Sequence, residues 1–302
     1  MFKIIQNRKI WISISVALMT LSVVAIAAWG LKFGIDFTGG SLMEVNFGTK
    51  NLSVVEVSDA VKSIGLNSLS VQPTDNSYIL RFQESSEEYH QKVLTSLKAL
   101  ATSKGSSTFE ELTFTSIGPS IGKEMQRKAI TSIFLVLLAI SIYIAYAFRK
   151  VSRPISSWKY GSVTLFALFH DALITVGFFA VLGKFWNVDV NISSITAVLT
   201  VIGFSVHDTI VVFDRIRENL PKSSSDFAGT VNVSVNQTLV RSINTSMTVI
   251  LTLACIVIFG GASIKYFALA LLVGIFFGTY SSIFLASPLL VVWEKFAARR
   301  AK

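Results

Sequence analysis

The stretch VIGFSVHDTIVVFDRIREN, residues 201–219, decides the fold class of this chain. With the apolar residues before it, it forms a run over 192–213 that contains His207 and Asp208. A helix needs about 20 mainly apolar residues to cross about 30 Å of hydrocarbon. The run meets that length, so it predicts a membrane-spanning helix with ionisable side chains inside the bilayer.

Apolar runs of similar length occur five more times along the chain. They lie near 10–29, 129–148, 160–182, 241–260 and 265–292. Charged residues make up only 15% of the chain, whereas globular proteins carry about 25%. We therefore expect a polytopic α-helical membrane protein with six transmembrane helices. The first run exceeds the apolar core of about 7 to 15 residues in a secretory signal, so we expect it to be an uncleaved anchor.

The basic residues predict the orientation. The net charge is +9, and the basic residues lie beside the apolar runs, which favours a role in topology over nucleic-acid binding. The clusters are Lys3, Arg8 and Lys9; Arg149, Lys150, Arg153 and Lys159; Arg215, Arg217 and Lys222; and Lys295, Arg299, Arg300 and Lys302. A cytoplasmic N-terminus puts all four clusters on the cytoplasmic side. We expect a multi-pass protein of the cytoplasmic (inner) membrane with both termini cytoplasmic.

The segment 33–118 then lies outside the cytoplasm and must fold as its own domain. Strand-like alternation marks SLMEVNF (41–47), SLSVQP (68–73), YILRF (78–82) and TFEELTFTSIG (108–118), with a turn-like Thr74-Asp75-Asn76. Helical spacing marks 54–65 and 86–102. The order βαββαβ predicts a small α+β ferredoxin-like domain. It divides the chain into 1–32 with the first helix, the extracytoplasmic domain 33–118, and 119–302 with helices two to six.

The loop before the fifth span also has a pattern. SSDFAGTVNVSVNQTLVRSINTS, residues 224–246, starts with serine and aspartate and continues with mixed polarity. We interpret it as an amphipathic cytoplasmic helix that leads into span five.

Ionisable residues within the spans are the candidate functional groups, because each costs about 2.5–3.5 kcal/mol at a helix centre. Counting from the end of the fourth span at Phe213, Asp208 lies about 8 Å inside the cytoplasmic boundary at 1.5 Å per residue. Thr245 lies at a similar depth in span five, one turn from Arg241 on the same helix face. We therefore expect Asp208, Arg241 and Thr245 to converge between two antiparallel helices.

Such a cluster has two interpretations. The protonation of a buried carboxylate beside a guanidinium depends on their geometry, so a conformational change can load or release a proton. Arg241 would be a fixed counter-charge, while Thr245 and Asn244 would donate hydrogen bonds or hold water. The alternative is a buried ion pair that only fixes helix register. His207, His170 and Asp171 are further supporting candidates, although no second partner for His170 and Asp171 is evident from spacing alone.

Other chemistries fit the sequence poorly. The His-Asp pairs lie on separate apolar helices without the ligand-rich surroundings of a metal site. Asp208 and Asp214 lie on one helix, which is wrong for the facing carboxylates of an aspartic protease. GIDFTGG, residues 34–40, lacks the ending of a phosphate-binding loop and indicates a turn. We expect no metal, no cofactor and no enzymatic activity.

Three stretches, GIDFTGG, residues 201–219 and LVRSINTSMTVILTL (239–253), resemble the SecF family of bacterial protein-export subunits over essentially the whole chain. The resemblance implies membership of the resistance-nodulation-division superfamily and a heteromeric complex with SecD. It implies action beside the SecYEG translocon, with YajC or YidC as further partners. It also implies that protons are the coupling ion that helps move a translocating polypeptide across the lipid membrane.

The resemblance also assigns residues. Asp208, Arg241 and Thr245 match the family's proton-pathway positions, and the family's major carboxylate belongs to SecD, so the site here is half of a whole. The family often has asparagine where this chain has His207. That change either shifts the proton affinity of Asp208 or is neutral, because adjacent helix residues point in different directions.

Two other functions remain as alternatives. One is a half-size proton-driven exporter of lipids or small hydrophobic molecules, which predicts a large apolar substrate cleft. The other is a purely structural assembly partner, which predicts that Asp208→Asn leaves export intact.

Overall fold

The computed structural model describes residues 1–48, 52–74, 76–106, 108–149 and 156–300. The predicted turn residue Asp75 and the basic residues Lys150, Arg153 and Lys302 lie outside this set, as do the side chains of Arg299 and Arg300. The chain forms two units, Met1–Lys32 with Thr131–Lys302, and Phe33–Ile130.

The smaller unit comes after the first helix, α1 (Arg8–Trp29). Its elements are α2 (Ile35–Thr38), β1 (Gly40–Asn46), α3 (Val54–Lys62), β2 (Ser70–Pro73), β3 (Tyr78–Phe82), α4 (Glu87–Ser103) and β4 (Glu110–Ile117). The sheet order is β2-β3-β1-β4 with every pairing antiparallel. Apart from the short α2, this is the βαββαβ ferredoxin-like arrangement, which confirms the predicted fold class.

Period-two alternation places one side of each central strand in the core. Met43 and Val45 on β1 and Leu80 on β3 are fully buried. Val57 of α3 and Val93 of α4 belong to the same core cluster. α3 ends at Lys62, three residues before the predicted end, because the chain turns at Gly65, where φ is +74°.

The predicted turn at residues 34–40 contains the short α2 and ends in two glycines with positive φ. Gly39 has φ +76° and Gly40 has φ +121°. A Cβ atom on Gly40 would lie 2.5 Å from the Phe82 carbonyl oxygen, and one on Gly39 would lie 2.8 Å from the Cα of Pro119. Glycine is therefore required at both positions by backbone conformation and by close approach.

A histidine joins α4 to the edge strand β4. The Nδ1 atom of His90 lies 3.0 Å from Glu87 Oε1, and its Nε2 atom lies 2.8 Å from Glu111 Oε1. The ring stacks on Phe114 with centroids 3.7 Å apart. Burial of the ring opposes protonation, but the hydrogen bonds to Glu87 and Glu111 outweigh it and raise the pKa of His90.

The larger unit consists of α1 and the helices after the ferredoxin-like domain, except that the first part of α5, up to Ile130, belongs to the smaller unit. These are α5 (Pro119–Ala147), α6 (Ser157–Trp186), α7 (Ile192–Asn219), α8 (Phe227–Phe259), α9 (Ala262–Ser281), a π-turn (Ser282–Ala286) and α10 (Ser287–Arg300). Within the described ranges six helical segments are long and apolar enough to cross a membrane, the last formed by α9, the π-turn and α10. This confirms the six predicted spans.

Several helices extend beyond the apolar windows, because the windows report only the length within hydrocarbon. α5 begins ten residues before its window, and α8 joins the predicted amphipathic segment and span five into one helix. Asp226 caps α8 by accepting a hydrogen bond from the Gly229 amide at 2.8 Å. The N-terminal segment packs against this polar half, where the Ile5 amide donates to Asn232 Oδ1 at 3.1 Å.

The last span changes its hydrogen-bond pattern in the middle. Pro288 comes directly after Ser287 beyond the π-turn and has no amide hydrogen, and its ring excludes the carbonyl four residues earlier from the normal α-helical bond. The Ser287 hydroxyl donates to the Ser282 carbonyl five residues before it, at 3.3 Å. A π-turn is the expected local solution.

Candidate functional site

Asp208 lies where α7, α8 and α9 meet, and only 2% of the residue is exposed. Its Oδ2 atom accepts hydrogen bonds from the Ser246 hydroxyl of α8 at 3.3 Å and the Thr279 hydroxyl of α9 at 3.2 Å. The two hydroxyl oxygens are 2.5 Å apart. The predicted carboxylate is therefore buried at a three-helix junction.

The hydroxyl groups around Asp208 have fewer hydrogens than acceptors. The Ser246 hydroxyl has one hydrogen, yet it lies within bonding distance of Asp208, of Thr279 and of the Ser242 carbonyl at 2.9 Å. A protonated Asp208 would add a donor, whereas an ionised Asp208 competes for the existing ones. Proton occupancy of Asp208 therefore changes the hydrogen bonds that join α7, α8 and α9.

The predicted convergence of Asp208 with Arg241 and Thr245 does not occur within this chain. Arg241, Asn244 and Thr245 are all exposed. Among the residues that the structure describes, Arg241 forms no hydrogen bond and no ion pair. The reason is rotational, since neighbouring helix residues point about 100° apart. Ser246, one position after Thr245, is the residue that turns toward Asp208.

Exposed polar residues and one exposed glycine recur on α7 and on α8, and we call them together the polar face. Its members recur at helical spacing. They are Thr196, Thr200, Gly203 and His207 on α7, and Arg241, Asn244, Thr245, Thr248 and Thr252 on α8. The hydroxyls of four of the threonines bond to carbonyls of their own helices, as Thr248 does to the Thr245 carbonyl at 2.7 Å; the four are Thr196, Thr200, Thr248 and Thr252. The Arg241 guanidinium forms no such bond among the described residues, and a charged group in contact with lipid is costly. The polar face therefore requires a polar neighbour.

A second carboxylate lies fully buried on α6. Asp171 and His170 are both 0% exposed. His170 Nδ1 lies 2.8 Å from Asp171 Oδ1. Asp171 Oδ2 accepts from Ser205 of α7 at 2.5 Å and from Ser281 of α9 at 2.7 Å. The structure thus supplies the partners that spacing did not reveal.

Two glycines on α9 allow this helix to pack closely against α7. A Cβ atom on Gly274 would lie 2.2 Å from Val201 Cγ2, and one on Gly278 would lie 3.0 Å from Ser205 Cβ. The pair has the spacing of small residues that let membrane helices pack tightly. It brings Ser281 within reach of α6, so the glycines position the hydroxyl groups around Asp171.

Four functional candidates were missed from the sequence: Ser246, Thr279, Ser205 and Ser281. Serine and threonine carry no charge and are common in membrane helices, so neither the depth count nor the charge search selects them. A usable signal was the polar run Gly-Thr-Tyr-Ser-Ser at 278–282 inside an apolar span. Within the described ranges no group of three or more His, Cys, Asp or Glu side chains is placed to hold a metal ion.

Two family models match the chain. The model for the C-terminal part of protein export membrane proteins SecD/SecF matches residues 96–296, and the model for the SecD/SecF GG motif matches residues 24–50. The second includes Gly39 and Gly40, the two glycines with positive φ. Together they match residues in both units of the structure.

Relatives match over nearly the full length. A protein from Thermobaculum terrenum, named protein translocase subunit SecF, is 44% identical to this chain. The match covers 97% of this chain and 94% of the length of that protein. One of the same name from Anaerolinea thermophila is 40% identical with the same coverage. The crystal structure of SecDF, a translocon-associated membrane protein from Thermus thermophilus, matches 97% of this chain with a TM-score of 0.83 and 30% identity. This chain spans 39% of that longer protein.

Proposed function

This chain belongs to the SecD/SecF family of protein-export membrane proteins, and from that membership we propose that it is the SecF-type accessory subunit of a Sec protein translocase. It works with a SecD partner and uses the proton gradient to assist the movement of polypeptides across the cytoplasmic membrane. Its role is transport, with protons as the coupling ion, and it needs no cofactor.

The polar face is the observation that carries this proposal. It leaves Arg241 and Thr245 uncovered on α8 beside the helix that holds Asp208. An isolated subunit would expose this face to lipid, whereas a second six-span subunit would cover it. The solved relative, more than twice as long as this chain, supports a SecD part as that cover.

Asp208 is the proposed proton carrier. In the described part of the chain it has two neutral hydroxyl partners and no cation in contact. A helix movement that brings a counter-charge toward it, or takes one away, changes its proton occupancy. Arg241 and Thr245 act across the interface, where the partner's carboxylate completes the site.

The remaining parts of the proposal concern place and partners. Both termini are cytoplasmic, and the ferredoxin-like unit faces the other side, where the polypeptide emerges. The SecYEG translocon is the larger assembly served, with YajC or YidC as additional neighbours. His207, Asn244 and the His170–Asp171 pair support proton handling.

Export of a secreted reporter tests the proposal in cells that depend on this protein. We expect Asp208→Asn and Arg241→Met each to abolish the proton-dependent part of export while SecD still copurifies. Matched controls exist on the same helix as Asp208. Asp214 and Arg217 form an exposed ion pair at 2.5 Å near its cytoplasmic end, so Asp214→Asn and Arg217→Met should export normally.

Three outcomes are informative. Normal export by Asp208→Asn with an intact complex would refute proton coupling through this residue. Loss of the SecD complex together with export would favour the purely structural role. Export loss in the control variants as well would show that the assay reports general damage to α7.

A further inference from the structure

The pair His170 and Asp171 is the buried titratable group that the proposed pathway through Asp208 does not use. It lies in the middle of α6, where charged side chains are expensive. Its partners, Ser205 and Ser281, come from the two helices that also hold Asp208 and Thr279. The contacts of this pair leave one imidazole nitrogen able to accept a proton.

Two hydroxyl donors and one imidazole nitrogen converge on Asp171. The hydroxyls of Ser205 and Ser281 point to Oδ2, and His170 Nδ1 lies at Oδ1. When Asp171 is ionised, its carboxylate can only accept hydrogen bonds. Nδ1 of the ring therefore carries a hydrogen, and a neutral imidazole then has its free lone pair on Nε2.

That second nitrogen is buried and has no hydrogen-bond partner among the residues that the structure describes. A neutral His170 beside an ionised Asp171 leaves one uncompensated negative charge in the helix bundle. A proton on Nε2 converts the pair into a neutral imidazolium–carboxylate pair held by an existing hydrogen bond. A carboxylate that orients one ring nitrogen and stabilises the protonated ring is a known arrangement in proton-transfer sites.

We propose that His170, held by Asp171, is a second proton-binding site of the transmembrane unit, with Nε2 as the atom that takes the proton. Proton binding is independent of the proposed export function, whereas its role in a transport cycle rests on it. Ser205 lies three residues before Asp208 on α7, and Ser281 two residues after Thr279 on α9. A proton at either site therefore acts on the same two helices.

The titratable side chains of the neighbouring helices make no hydrogen bond or ion pair with His170 or Asp171 in the described part of the chain. α7 contributes Asp208 and the exposed His207, and α9 contributes Tyr280, whose hydroxyl donates to the Trp11 carbonyl at 2.9 Å. The membrane part of α5 contributes Tyr143 and Tyr146, which are 60% and 62% exposed. α1 has no charged residue after Lys9. Within the described part of the chain none of these bonds to His170 or Asp171.

The chain has three histidines, which makes the test direct. Nitrogen-15 NMR of histidine-labelled, full-length protein in lipid nanodiscs reports which ring nitrogen carries hydrogen. His90→Gln and His207→Asn assign the signals by elimination. We expect His170 to have hydrogen on Nδ1 and a bare Nε2 at alkaline pH, and to gain a proton on Nε2 as the pH falls from about 9 to about 5.

The wild-type spectrum alone can overturn the proposal. A bare Nδ1 with hydrogen on Nε2, or an Nε2 that stays bare over the whole range, would do so. In Asp171→Asn we expect at least about a tenfold loss of proton affinity at His170, equal to about one pH unit. Thr164→Ala changes a buried hydroxyl of the same helix that bonds to the Tyr160 carbonyl at 2.9 Å, so it should retain proton uptake and controls for damage to packing.

The two proposals fail separately. If Asp208→Asn exports normally while His170 still binds a proton, the proton site stands and its transport role falls. If His170 never binds a proton but Asp208→Asn blocks export, the second site is refuted and the proposed function is unaffected.

Discussion

The bridge from His90 to Glu87 and Glu111 predicts a pH response in the ferredoxin-like unit. The folded-state pKa of His90 is raised, although burial opposes protonation, because both carboxylates accept hydrogen bonds from the ring. The stabilisation is fully present below the unfolded pKa of about 6.5 and is lost as pH rises through the folded value. Raising the pH above about 6.5 should therefore loosen the contact between α4 and β4.

The size of the effect depends on exposure. A hydrogen bond to a charged group contributes about 1.5–3 kcal/mol. Solvent screens the pair with Glu111, whose side chain is 23% exposed, so we expect about 1 kcal/mol from it. Glu87 is 70% exposed and adds little. A loss of about 1 kcal/mol corresponds to about fivefold faster amide exchange.

Hydrogen exchange with mass spectrometry on the full-length protein measures this directly. After correction for intrinsic exchange rates, amides of α4 and β4 should lose protection from about pH 6 to about pH 9. His90→Gln should abolish the pH dependence, while His207→Gln, the same change at an exposed histidine of α7, should leave it. An unchanged pH response in His90→Gln, or protection that increases with pH, would refute the reasoning.

Single contacts give three further predictions. Gly40→Ala should destabilise the small unit by about 1–3 kcal/mol, because its φ is +121° and Cβ would meet a carbonyl oxygen at 2.5 Å; thermal unfolding measures it. Asn232→Ala leaves the buried Ile5 amide unpaired at a cost of about 1–3 kcal/mol, so limited proteolysis should release the N-terminus faster. Ser246→Ala should weaken reporter export, whereas Ser242→Ala should not and should keep or raise the melting temperature, since the buried Ser242 hydroxyl has no partner among the described residues.

The spans and the domain fold could be predicted because strong physical requirements mark them. Hydrocarbon requires a minimum apolar length, and the half-buried sheet requires alternation, so both leave patterns in the sequence. The positions of helix ends were less visible. α8 runs through a polar segment and a membrane segment without interruption, and hydropathy reports only the second.

The site was only partly predictable, because depth along a helix is visible in sequence and rotation about its axis is not. Asp208 was identified from its charge. Thr245 was chosen at the correct depth, but the adjacent Ser246 is the residue that contacts the carboxylate. Thr279 comes from a third helix whose neighbours depend on the packing of the whole bundle. Arg241 lies on the polar face, which we propose is covered by a partner subunit.

The π-turn in the last span has a consequence for motion. In an α-helix each additional residue rotates the following segment by about 100° about the helix axis. A π-turn holds one additional residue in a widened turn, so the segment after it keeps its orientation. Thr279 and Ser281 before it point at the buried carboxylates, while Leu290 and Val291 after it are fully buried in the cluster with Phe213. If the π-turn moved along the helix, the segment it passed would rotate about its axis while both ends stayed in place. Protonation near Ser281 would then be transmitted as a local twist of span six, without any shift of the helix through the membrane.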